Sequence, residues 1–166
     1  MEVESHLKIL ESWKQAADRS TLEFRIPKVY GIRNSDAYIS ENAMCEKTDG
    51  NHAKALYGSS PVHTEAVFEA FGEAYGFVYM KAKHNMLDVE FCVGKNGKVW
   101  IFDFGNTADL AMRGTDSEQA LRDDLKRLGG PFTSNPSDAK IDAFFRGLSK
   151  TSGITLTKED ADMNRL

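Results

Sequence analysis

The sequence predicts an α+β fold, and three observations carry that reading. Residues 2–18 and 64–82 place apolar side chains at three- and four-residue spacing, as amphipathic helices do. Residues 87–93 and 98–104 are rich in β-branched and aromatic side chains. They flank Gly94-Lys95-Asn96-Gly97, a turn segment with an Asn-Gly pair, and so read as a β-hairpin. Further helical patterns follow that hairpin, so the order is helix, small hairpin, loop, long helix, hairpin, then helices.

The chain has 166 residues, which fits one domain over 1–166 with enough material for a core. Its net charge of −4 argues against a dedicated nucleic-acid binder, which needs a basic face. No apolar run approaches the ~18 residues of a membrane span. The first ten residues are acidic and lack an apolar centre, which argues against a secretory leader. Two cysteines, Cys45 and Cys92, are too few for a disulfide framework. A single bridge is open to them, but free thiols in a reducing compartment are the simpler expectation. The location expected is therefore intracellular, cytoplasm or nucleus.

The first helix is expected over 2–18, with Val3, Leu7, Leu10, Trp13 and Ala17 on its apolar face. Glu2 and Glu4 suit its positive end. Pro27 keeps any strand in 22–33 short or at an edge, and Val29-Tyr30-Gly31-Ile32 is the best strand there. Residues 37–44 supply a second strand, which makes a small antiparallel hairpin. Residues 45–63 are polar and rich in Gly, Ser and Asn, and read as a long flexible loop with a helical turn near 53–57. Cys45, His52 and His63 in or beside it match no compact zinc spacing, so solvated histidines are expected.

Thr64 caps the next helix, whose Gly72 and Gly76 predict close approach by a neighbour. Lys81, Lys83 and His84 close it with positive charge. After the 87–104 hairpin, residues 115–128 read as a helix stopped by Gly129-Gly130. Residues 131–136 read as irregular. Ser137 or Asp138 caps a last helix to about Leu148, and 151–166 read as a mobile polar tail.

The hairpin carries Asp88, Glu90 and Asp103 inside or beside runs that should be buried, and buried carboxylates need partners. For Asp88 and Glu90 the partners expected are Lys81, Lys83 and Arg113. Asp103 is expected to cap the following loop or accept backbone N–H bonds, with metal binding as the alternative. Asn106 should stabilise the turn after the strand.

Asp103-Phe104-Gly105 after such a hairpin resembles the protein-kinase and aminoglycoside-phosphotransferase fold. In kinases that Asp binds magnesium on the nucleotide phosphates. Asp88-Val89-Glu90-Phe91-Cys92-Val93-Gly94 with Asp103-Phe104 is similar to a fungal kinase-like domain of unknown function. The resemblance implies a reduced kinase-like fold: an N-terminal helix, a small antiparallel hairpin, then a mainly helical portion holding the Asp-Phe-Gly hairpin. It also implies Asp88 and Asp103 as the cofactor- and metal-binding pair, with magnesium as the ion.

The departures argue against catalysis. The position five before Asp88, where a base is needed, holds Lys83, and an ammonium accepts no proton. His84 is adjacent but displaced. No Gly-x-Gly-x-x-Gly cradle is present, and the strands and clamp Lys of an N-terminal lobe are missing ahead of the first helix. The function expected is a non-catalytic, pseudokinase-like module that needs no cofactor and binds a protein partner. The 45–63 loop and the surface near Asp103 are its contact candidates. The alternatives are a minimal metal-dependent binder of nucleotide or phosphate ligands using Asp88 and Asp103, and a structural or assembly protein. A homodimer, in which a second copy supplies the missing strands, is the association the resemblance suggests.

Overall fold

Thr64 begins the helix around which the chain is built. Its hydroxyl accepts the Val67 N–H at 3.4 Å, and helix α2 runs Glu65–Met80. Nearly every residue from Val67 to Tyr79 is buried, so this helix is core on all sides. The computed structural model describes residues 2–17, 19–34, 37–43, 45, 53–94, 97–127 and 132–161. The fold is α+β, with four helices and three small sheets among the described residues.

Helix α1, Glu2–Gln15, is the expected first helix with one change of face. His6 is buried and Leu7 is 36% exposed. The buried line is Val3, His6 and Leu10, and burying an imidazole is possible because His6 Nε2 lies 2.7 Å from the Pro27 carbonyl. Strand β1 is Phe24–Arg25. Strands β2 (Val29–Asn34) and β3 (Ala37–Ser40) form the small antiparallel hairpin expected from the sequence, with irregular register on both sides of Gly31↔Ile39.

Strands β5 (Glu90–Val93) and β6 (Val99–Phe102) pair antiparallel, with Phe91 opposite Ile101 and Cys92 opposite Trp100. β1 joins β6 in parallel, so the sheet order is β1-β6-β5. Gly97 takes a positive φ of 71°, as the expected turn requires. Both faces of β5 are covered. Phe91 and Cys92 are each buried, where simple alternation would leave one of them exposed.

Helix α3, Ser117–Lys126, is capped by Asp116, which accepts the Gln119 N–H at 2.8 Å. Its expected Gly129-Gly130 stop lies outside the described residues. Helix α4, Asp138–Ser152, is capped by Ser137, ends four residues beyond the expected Leu148, and is followed by Gly153 with φ 74°. Gly72 and Gly76 meet α4 as expected. A Cβ at Gly72 would fall on the Phe144 carbonyl, and one at Gly147 on α4 would fall on the Glu69 carbonyl. Glu73 is buried between them. It accepts Lys150 Nζ at 2.7 Å and the Glu23 backbone N–H at 2.8 Å.

Several expectations are corrected. The helical turn near 53–57 is instead strand β4, Leu56–Tyr57. It pairs in parallel with β7, Phe132–Thr133, in the segment expected to be irregular. Two-residue strands have no period to detect, and their partners lie far apart in the chain. Residues 151–161, expected as part of a tail, are packed: Leu156 and Ala161 are buried, and a 3-10 turn at Lys158–Asp160 meets α3 and α4. The remainder of that tail, 162–166, lies outside the described residues. Among the described residues, no helix is long and apolar enough to cross a membrane.

The cysteines are not free thiols. Cys45 and Cys92 form a disulfide with a Cα–Cα distance of 5.6 Å, and Cys45 and Ala53 bridge to Gly94 and Phe91. The loop expected over 45–63 is thus fastened along β5 at two points, while 46–52 lies outside the described residues. The bridge closes a loop with a sequence separation of 47. Chain-entropy reasoning gives such a closure about 4 kcal/mol of stability. The double variant Cys45→Ala/Cys92→Ala should lower unfolding free energy by about that amount in a denaturant titration. Adding reductant to the wild type should give a similar loss, and reductant should leave the variant unchanged.

Candidate functional site

The turn into β5 and the turn out of β6 hold the expected site positions. Lys83 has φ 56°, Asp88 φ 56° and Asp103 φ 61°. Left-handed backbone is uncommon for residues with a side chain, though Asp tolerates it better than most. Such conformations persist only when the surroundings impose them. Here the surroundings are two flanking segments zipped together. Leu110 N–H donates to the Lys83 carbonyl at 2.8 Å, and Asn85 Oδ1 accepts the Ala108 N–H at 2.9 Å.

Asp88 and Asp103 both lie at the open end of the hairpin, and both are exposed. They are used differently. Asp88 Oδ2 accepts Asn106 Nδ2 at 3.0 Å, so Asn106 holds the turn through Asp88. The ion-pair partners expected for Asp88, namely Lys81, Lys83 and Arg113, do not take that place. Glu90 is half-buried opposite Phe102. Asp103 makes no hydrogen bond or ion pair among the described residues. It is not the loop cap expected from the sequence.

Asp103 lines a cleft of about 280 Å³ with Glu2, His6, Tyr38 and Glu41. Asp88 is not among the residues lining it. The cleft holds three carboxylates, and no Lys or Arg is found among its described lining residues. Asp103 Oδ1 and Glu2 Oε2 would each lie 3.7 Å from a Cβ built on Gly105, so the two carboxylates face a common space. Tyr38 Oη lies 3.0 Å from both His6 Nδ1 and Glu2 Oε1. The Pro27 carbonyl can only accept, which puts the proton of a neutral His6 on Nε2. Tyr38 then has one proton for two acceptors. Burial, aided by the hydrogen bond to Glu2 and by the charges of Glu2 and Asp103, raises the Tyr38 hydroxyl well above its ordinary range.

As a magnesium site the expected pair is poorly supplied. Asp88 is engaged by Asn106 and stands apart from the cleft, and among the described residues no group of three or more His, Cys, Asp or Glu side chains could hold a metal ion. The zinc reading fares no better. Cys45 is oxidised in the disulfide, His63 is buried with Nδ1 accepting the Tyr57 N–H at 2.9 Å, and His52 lies outside the described residues.

His84 was expected to help close α2 with positive charge. It is instead buried, four residues beyond the helix end at Met80. Its Nδ1–H donates to the Ala82 carbonyl at 2.7 Å, and its Nε2 lies 3.9 Å from Asp109 Oδ2 with no hydrogen bond. Asp109 belongs first to Lys8, whose Nζ lies 2.7 Å away and whose hydrogen bond holds the Asp109 carboxyl below its usual range. Sequence reasoning missed Asp109, Lys8 and Tyr38. Only the fold brings α1 and β3 against the residues that flank the hairpin.

Compared with known proteins, the chain matches no protein family, no curated protein and no solved structure.

Two outcomes follow from this geometry. Asp103 makes no hydrogen bond or ion pair among the described residues, so Asp103→Asn should change stability by less than about 0.5 kcal/mol, whereas the β-branched Asp103→Val should cost about 1–2 kcal/mol because of its left-handed backbone. Equilibrium denaturation of both variants checks this. His6 is held below its ordinary value of 6.5, chiefly by burial, with the Pro27 hydrogen bond and Glu2 opposing. The unfolded chain therefore binds a proton at higher pH than the folded chain does. Stability should be whole above about pH 6.5 and fall as the pH drops through the lowered folded value. Melting temperatures from neutral pH to about pH 5 should show this decline, and His6→Phe should flatten it.

Proposed function

We propose that this chain is a non-catalytic module on a reduced kinase-like scaffold, and that it binds a protein partner through the surface around Asp103. The single observation that carries the reading is Asp103 itself. It is exposed, makes no hydrogen bond or ion pair among the described residues, and is held in a left-handed conformation, and strain of this kind tends to gather where function requires it.

The neighbouring surface has the character of a contact site. Tyr30, Ile32 and Ile39 on the β2–β3 hairpin are 66%, 56% and 47% exposed. That hairpin is a sheet of two strands, and among the described residues nothing pairs with the outer edge of either strand. Apolar side chains beside open edges favour association with another chain. The acidic cleft next to them calls for a positive group. The partner is therefore a protein segment with Lys or Arg among apolar residues.

Two features speak against phosphoryl transfer. Lys83 stands where a base is needed, and a cleft of carboxylates without cations repels phosphates. A second reading has one observation in its favour. Glu2 and Asp103 face a common space and could share a hard cation that bridges to a phosphate ligand.

Incubation with ATP, magnesium and generic protein acceptors should give no phosphate transfer. Basic-apolar peptides should bind with chemical-shift changes centred on β2, β3 and Asp103, and Asp103→Asn should weaken them about tenfold. Turnover that Asp103→Ala abolishes would overturn the proposal. A rise in melting temperature with Mg²⁺ and nucleotide that depends on Asp103 would favour the cation reading instead.

A further inference from the structure

On the other side of Glu41 lies a cleft of opposite sign. It has a volume of about 260 Å³ and is lined by Trp13, Lys14, Arg19, Arg25, Lys28 and Trp100, with Glu41 at its border with the acidic cleft. Four cations against one carboxylate leave three net positive charges, on a chain whose overall charge is −4.

Part of this charge has a local purpose. Lys14 sits in the last turn of α1, where a cation suits the helix dipole. Arg19 donates to the Lys14 carbonyl at 3.0 Å and lies 5.8 Å from the centre of the Trp13 ring. Arg25 and Lys28 have no such role. Their side chains make no ion pair or hydrogen bond among the described residues. Glu41 does not neutralise Lys28, because its Oε2 accepts the Lys28 backbone N–H at 3.1 Å. Like charges gathered in one cleft repel each other, and among the described residues no ion pair at Arg25 or Lys28 offsets that repulsion.

The two tryptophans define what else the cleft offers. Trp100 is buried on β6 and forms an apolar wall. Trp13 lines the same cleft and carries the Arg19 guanidinium over its ring. Arg25 and Lys28, unpaired among the described residues, both lack the same thing, an anionic acceptor. A single carboxylate supplies one charge, whereas a phosphate monoester supplies up to two and three acceptor oxygens. Clefts for drug-sized ligands run from about 300 Å³ upward, so this one suits a small group or the projecting end of something larger.

We infer that the Trp13–Trp100 cleft is a binding site for a phosphate monoester, separate from the Asp103 surface. Arg25 and Lys28 are its principal contacts, Lys14 and Arg19 add charge, and the aliphatic or aromatic carrier of the phosphate lies against Trp100. The inference is independent of the partner proposed for Asp103.

The chain has two tryptophans, and both line this cleft, so intrinsic fluorescence reports on it directly. The probes are phenyl phosphate, a phosphoserine peptide, its unphosphorylated form and citrate, each titrated in EDTA at low salt with parallel calorimetry. The phosphate esters should produce a saturable fluorescence change that added salt weakens. Arg25→Ala and Lys28→Ala should each weaken binding about tenfold, and Asp103→Asn should leave it unchanged. Equal affinity for both esters assigns the site to a free small molecule, and a clear preference for the phosphopeptide assigns it to a modified protein. No saturable change with either ester would overturn the inference. So would binding that survives the Arg25→Ala/Lys28→Ala double variant, or equal binding of the unphosphorylated peptide or citrate. Circular dichroism of each variant confirms that the fold is retained.

Discussion

The structure depends on how closely α2 and α4 approach each other. Glycine on both helices lets one backbone lie against the other: Gly72 meets the Phe144 carbonyl and Gly147 meets the Glu69 carbonyl. Contact at this range leaves no room for adjustment, because backbone cannot rotate out of the way as a side chain can. It also buries Glu73, which would be costly alone. Lys150 on α4 and the Glu23 N–H just before β1 supply its partners. One carboxylate thus ties together the two central helices and the strand that flanks β6. With α2 and α4 fixed, Phe71 and Tyr75 present their rings to Phe91 and Phe144, and the β5–β6 hairpin is seated on α2.

That seat explains why the hairpin can carry strained ends. Lys83, Asp88 and Asp103 all adopt left-handed backbone where the hairpin meets its flanking turns. The core residues Val89, Phe91 and Ile101 lie between Asp88 and Asp103, and buried Phe104 follows directly after. Apolar burial worth about 1.5–3 kcal/mol per large side chain readily outweighs the strain of one exposed residue. At the foot of the β2–β3 hairpin, the Glu41 N–H donates to the Lys28 carbonyl and Glu41 Oε2 accepts the Lys28 N–H, and Glu41 borders both the acidic cleft of Asp103 and the basic cleft of Trp13. Two sites of opposite sign are kept apart by one rung of a ladder.

Much of this was legible in the sequence. The helices at 2–15 and 65–80 and the 87–104 hairpin follow from periodicity, and Gly72 and Gly76 announced the tight crossing. What escaped was chemistry created by distant contacts. His6 is not on the apolar face read from the sequence, yet a carbonyl 21 residues away makes its burial tolerable. Glu73 carries no periodic signal of its burial, which Lys150 and the Glu23 N–H make possible. β4 and β7 are too short to show any pattern, and their pairing joins residues 56 and 132. The cysteines were ambiguous by count alone, since two thiols can be free or bonded. Asp103 was singled out from the sequence as a cap or metal ligand, and only the fold shows it lining a cleft with Glu2, His6 and Tyr38. The basic cleft was invisible for the same reason. Its cations are scattered over Lys14–Lys28 among ordinary surface charges, and Trp100 comes from another part of the chain.

The disulfide has a consequence for how the molecule meets its own kind. β5 is the outer strand of the three-stranded sheet, and an outer strand offers a row of open backbone groups to any other chain. Ala53 covers part of that row through paired hydrogen bonds with Phe91, and the bond from Cys45 to Cys92 holds the covering segment in place. Oxidation therefore guards the sheet against fibre-like stacking, and a reducing milieu would lift the guard along β5 while leaving the α2–α4 core intact.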